Sequence, residues 1–170
     1  NHIDNYIYGK FTGAELNNGF RPLQYVQHDA QFKGVEGNID YYYHQDSLIG
    51  ISGDYVRANL LHNKGNIPRI PAYRLSVYIK HSLTENLNGK IQVDHFGKQN
   101  KTAEYETPTA SYNTVSLGSE YIGYLDNTNY TLYAKVNNIF DAKGKDSTSY
   151  IKDEMYLPGR NIILGTTLTF

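Results

Sequence analysis

The chain has 170 residues, with 16 Lys and Arg against 17 Asp and Glu, a formal net charge of -1 and no Cys. That balance excludes the basic footprint of a nucleic-acid binder, and the lack of Cys excludes both a disulfide framework and thiolate metal sites. Mean hydropathy is -0.57, and no apolar run is long enough for a membrane-spanning helix. Yet 17 Tyr and 6 Phe exceed what a packed interior needs, because each buried phenol requires a hydrogen-bond partner. Tyrosine is at ease where an apolar body meets a wet surface, as at the headgroup level of a bilayer.

Helical periodicity is nearly absent, whereas segments alternating apolar and polar residues recur from end to end. In chain order they cover residues 1–9, 29–44, 47–61, 72–83, 89–98, 111–124, 129–139 and 159–170. The opening "NHIDNYIYGK" alternates from its first residues, and it reads as a strand cut from within a longer protein. In "AYRLSVYIKHSL", Tyr73, Leu75, Val77 and Ile79 oppose Arg74, Ser76, Tyr78 and Lys80. In "YNTVSLGSEYIGY", Val115, Leu117 and Tyr121 oppose Thr114, Ser116, Gly118 and Glu120. In "NYTLYAKVNN", Tyr130, Leu132, Ala134 and Val136 oppose Thr131, Tyr133, Lys135 and Asn137. The last segment sets Ile162, Leu164, Thr166 and Leu168 in one row, and Phe170 closes that row.

The polar faces, with Arg74, Lys80, Glu120 and Lys135, are too costly for a dry core. The connections between strands alternate without exception: long (10–28), tight ("HQDS"), long (62–71), short (84–88), long (99–110), short (125–128), long (140–158). Such alternation belongs to an up-and-down barrel in an outer membrane, with short periplasmic turns and long extracellular loops. The predicted fold is therefore all-β, an antiparallel up-and-down transmembrane β-barrel segment of about eight strands. A self-contained eight-stranded barrel is the structural alternative. A soluble β-sandwich is a third reading, which requires a second sheet over the apolar face.

Several stretches resemble the C-terminal part of a TonB-dependent outer-membrane receptor. They are "YVQHDAQFKGVEGNIDYYY" (25–43), "IPRIPAYRL" (67–75), "AEYETPTASYNTVSLG" (103–118), "LYAKVNNIFDAKGKDSTSYIKDEMYLPGRN" (132–161) and the terminal Phe170. The asparagine pair before "IFDA", the "LPGRN" that follows and the final aromatic strand are the most specific, and the "YETPT" loop resembles the zinc-uptake branch. The resemblance implies the last eight strands of a barrel of about 22 strands whose lumen holds an N-terminal plug, absent from this chain. It further implies import of a metal ion or metal chelate (zinc, haem or a siderophore), with TonB acting through the plug. Phe170 would be the terminal residue read during insertion by the barrel-assembly machinery. The implied surroundings are outer-membrane lipid and lipopolysaccharide, toward which Arg160 would snorkel.

Six histidines carry no HxH or HExxH spacing. His28 and His62, at the bases of extracellular loops, are the candidates to hold a passing metal; the only metal expected is transported cargo, with no resident cofactor. Asp54, Arg74, Lys80, Glu120 and Lys135 are expected to line the lumen, docking a plug or bordering a substrate path. Glu104 and Glu106, in "AEYETPT", are expected to be solvated in an exposed loop. No nucleophile elbow, phosphate-binding glycine loop or metalloprotease helix is present, so the chain does not read as an enzyme.

Overall fold

The computed structural model describes residues 1–13, 15–16, 21–62, 64–126 and 128–169. Eight long strands and one short one form a single antiparallel sheet. They are β1 (His2–Phe11), β2 (Leu23–His44), β3 (Ser47–Leu60), β4 (Gly65–Asn66), β5 (Arg74–Ser82), β6 (Leu87–Phe96), β7 (Tyr112–Leu125), β8 (Thr128–Asn137) and β9 (Asn161–Thr169). Each long strand pairs with the next in sequence, and β4 attaches to the loop end of β3. The tight ends fall at 45–46, 83–86 and 126–127, and the long connections at 12–22, 61–73, 97–111 and 138–160. β1 and β9 each pair on one side only, so the sheet is open. No second layer lies over the apolar face among the described residues, which removes the sandwich. Phe170 lies outside the described residues.

The ladder register fixes the two faces. Val35, Ile39 and Tyr41 of β2 share one face with Ile49, Ile51 and Tyr55 of β3, Leu75, Val77 and Ile79 of β5, and Ile91 and Val93 of β6. The same face continues through Val115 and Leu117, Leu132 and Val136, and Ile162, Leu164 and Leu168. No described residue covers it: Val35 is 70%, Ile39 76% and Leu164 75% exposed. Such a contiguous apolar surface is incompatible with water and matches the lipid-facing band of a membrane barrel. Its borders carry aromatics and histidines. Tyr43 and His81 stack near the short turns at 6.0 Å, and Tyr73 and His95 tilt together at 5.6 Å by the long loops.

The structure lengthens one predicted strand. β2 begins at Leu23, whereas alternation marks a strand only from residue 29, and residues 23–28 pair with 6–11. Its outward positions are Leu23, Tyr25 and Gln27 and its inward ones Gln24, Val26 and His28; polar Gln27 outside and apolar Val26 inside, packed against the small cluster of Tyr8, Ala30, Ala58, Leu60 and Ile67, break the alternation. β1 keeps pace through a bulge between Ile3 and Tyr6, where Asn5 takes φ 56° and its amide donates to Asp29 Oδ1 at 2.9 Å. Asn tolerates that left-handed conformation better than a branched residue.

Three strand pairs set a tyrosine directly across from a glycine: Gly50 with Tyr78, Gly123 with Tyr130 and Gly165 with Tyr133. In each the ring lies over the glycine, and an added Cβ would collide with it. By contrast, a Cβ at Gly37 meets nothing within 4 Å. Gly50→Val is therefore expected to cost roughly 1–3 kcal/mol through overpacking, while Gly37→Val is neutral or stabilising. Urea unfolding in detergent micelles, followed by circular dichroism, measures both.

Candidate functional site

The face opposite the apolar band carries the chemistry. Asp54 and Arg74 stand directly across the β3–β5 ladder, with Arg74 Nη2 2.9 Å from Asp54 Oδ1 and Nε donating to the same oxygen at 3.0 Å. Glu36 faces Asp54 from β2, so Arg74 serves a doubly acidic stretch of wall. Tyr78 donates its hydroxyl proton to Asp40, and Lys90 Nζ sits 4.7 Å above the Tyr78 ring. A concavity of about 340 Å³ on this face is lined by Lys80, Lys90, Gln92, Glu120, Tyr133 and Lys135 among others. The structure thus gathers Lys80, Glu120 and Lys135 around one hollow, while Asp54 and Arg74 border another beneath residues 145–147. The first hollow is net basic and the second is close to neutral.

The connections 61–73, 97–111 and 138–160 do not stand away from the sheet; they fold over this polar face and bind one another. Glu106 is the joint. Its side chain is 6% exposed; Oε1 takes Lys152 Nζ at 2.8 Å and Arg69 N–H at 3.0 Å, and Oε2 takes Ala103 N–H at 3.0 Å. Three connections, 61–73, 97–111 and 138–160, therefore meet on one carboxylate. This corrects the expectation of a solvated Glu106. Around it, Gln99 Nε2 donates to the carbonyls of Ile70 and Pro71, both at 3.0 Å, and Thr107 donates to Asp153 at 2.6 Å. The Arg69 guanidinium lies 3.7 Å over the Tyr150 ring. Glu104 does remain at the surface, 3.1 Å from Lys10.

The "NNIFDA" motif is structural. Asn138 and Asp141 both adopt left-handed backbone, at φ 50° and 55°. The Asn138 amide clasps Ala142, donating to its carbonyl and accepting from its N–H, both at 2.9 Å. Asp141 Oδ1 accepts the Arg160 N–H at 2.9 Å, which ties the exit of β8 to the entry of β9. The Arg160 guanidinium turns to the Ile139 carbonyl at 3.5 Å.

The two candidate histidines fall at different places. His28 lies within β2 instead of at a loop base, on the polar face, where Nδ1 is 3.2 Å from the Tyr8 hydroxyl. His62 is 78% exposed, with Nε2 3.9 Å from Asp29, whose side chain points to the opposite face from His28. Among the described residues, no three His, Asp or Glu side chains converge as a metal site. Sequence reasoning missed the Glu106–Lys152 joint, since its two halves lie 46 residues apart.

These features define a class: an antiparallel up-and-down segment of a transmembrane β-barrel wall, with lipid-facing and polar faces and inward-folded long loops. No family model matches the chain. Among solved structures it is similar to the copper transporter OprC, with a TM-score of 0.81 and 17% identity over 98% of this chain and 27% of that one. The chain spans about a quarter of that protein's length, and the likeness is one of fold.

Two outcomes follow from the joined loops. Lys152→Met leaves Glu106 buried without its counter-charge, at a cost on the order of 3 kcal/mol. Limited proteolysis should then cut residues 97–111 and 138–160 much faster with the strands intact, and adding Glu106→Gln should restore part of the protection. For Glu104, the hydrogen bond and charge of Lys10 hold its carboxyl below the ordinary glutamate range. A depressed carboxylate contributes its contact above the ordinary range and loses it as pH falls through the lowered value. An NMR titration should show the Glu104 midpoint rising in Lys10→Gln.

Proposed function

We propose that this chain is the C-terminal barrel part, the last eight strands, of a TonB-dependent outer-membrane receptor that imports a metal ion or metal chelate. One observation carries the reading: an open eight-strand wall, apolar outside and polar inside, that overlays almost its whole length on a quarter of a copper transporter. A closed eight-stranded barrel expects β1 against β9, and the two are not paired. The short turns then face the periplasm and the loops joined at Glu106 face outward, roofing part of the lumen. Asp54, Arg74, Lys80, Glu120 and Lys135 belong to the lumen wall against which a plug, pulled by TonB, would rest. Insertion by the barrel-assembly machinery through Phe170 is part of the same reading.

The cargo is read as a metal, free or chelated. OprC is described as a copper transporter, which gives the zinc branch no support. His28 and His62 are proposed as residues that touch the metal on its way in.

In cells carrying the intact receptor, metal accumulation at limiting supply should fall to the background of a receptor-less strain when TonB is deleted. Accumulation that persists without TonB contradicts the reading. His28→Ala with His62→Ala should lower uptake several-fold at limiting metal; unchanged uptake removes both residues from the path.

A further inference from the structure

Two cations stand face to face on the outer surface with no counter-charge beside them among the described residues. Lys33 of β2 and Arg57 of β3 are direct partners across the ladder, and both are exposed. They sit on the lipid-facing side, one alternation beyond Val35 and Tyr55, where the apolar band ends at its loop-side border. Like charges directly opposite each other destabilise a sheet. Neither has a carboxylate partner within salt-bridge distance among the described residues. The surroundings are amide-rich: Gln31 and Asn59 are the next opposed pair on this face, and Arg57 Nε donates to Asn59 Oδ1 at 3.3 Å, which steadies the guanidinium. Gln31, Lys33, Arg57, Asn59 and Asn66 line a shallow concavity of about 550 Å³.

We infer that Lys33 and Arg57 form a binding site for the phosphate of an outer-leaflet lipid headgroup. The position selects this occupant. A lipid whose acyl chains lie along Val35, Ile39, Ile51 and Tyr55 brings its headgroup to this height, where an ammonium and a planar guanidinium meet its oxygens and Gln31 and Asn59 supply further amide donors. The anion turns a repulsive cross-strand pair into a bridged one. The site rests on the membrane-spanning architecture and is independent of the cargo.

The test uses the intact receptor that carries these strands, in detergent micelles, with native mass spectrometry counting bound bisphosphorylated lipid A, its dephosphorylated form, and inorganic phosphate alone. Wild type should retain the phosphorylated lipid about tenfold or more better than the dephosphorylated one. Lys33→Gln with Arg57→Gln should abolish that preference, Arg57→Lys should keep most of it, and Lys98→Gln, on a loop elsewhere, should leave it unchanged. Equal retention of both lipids by wild type, or an unaltered preference in the double variant, overturns the site. Saturation by inorganic phosphate alone, with no gain from the lipid, also overturns it in favour of a simple anion site. Failure of the chain to enter vesicles would instead strike at the membrane architecture, so the two failures are separable.

Discussion

Inside a bilayer a backbone amide has no water to turn to, and an unsatisfied one costs several kcal/mol. The sheet answers this by pairing every long strand with its chain neighbour, from β1 to β9. Once pairing is obligatory, the side-chain period of two follows, and with it the division into an apolar outer face and a polar inner one. The tyrosines seated on Gly50, Gly123 and Gly165 fill ladder positions where glycine supplies no side chain, Tyr130 on the lipid-facing side and Tyr78 and Tyr133 on the polar one. The same constraint makes the outer strands informative. Among the described residues β1 and β9 each keep one edge without a strand partner, an arrangement costly in lipid.

Above the apolar band the rules change. Water is available again, so the connections are free to lose alternation, and they gain order from polar contacts. Glu106 shows how: one carboxylate accepts from Lys152, Arg69 and Ala103 and unites three connections that are remote in sequence. A buried ion pair is weak evidence for net stability, but it is a strong device for fixing one arrangement over others, because any rearrangement strands a charge. For this wall the consequence is one fixed arrangement of the connections at its loop-side end.

The strands were legible in the sequence wherever lipid enforces alternation. Tyr73, Leu75, Val77 and Ile79 against Arg74, Ser76, Tyr78 and Lys80 read correctly because an apolar environment on one face and a polar one on the other impose opposite demands on successive residues. Legibility ended at the border of the band. Residues 23–28 were hidden as strand because Gln27 faces outward and Val26 packs inward, which breaks the alternation there, and this also misplaced His28 in a loop. Glu106 looked like any loop glutamate, since its burial depends on Lys152, which no local pattern connects to it. The Lys33–Arg57 pair was equally invisible, because opposition across a ladder exists only once the register is known.

That lipid touches one face and water the other is most directly tested by moving a spin label one residue at a time along Arg74–Ser82 in reconstituted bilayers. The chain has no Cys, so each introduced Cys is labelled alone. Oxygen accessibility should peak at 75, 77 and 79, and that of a water-soluble nickel chelate at 74, 76 and 80. Equal accessibility of both sets to the chelate would contradict a membrane-spanning wall.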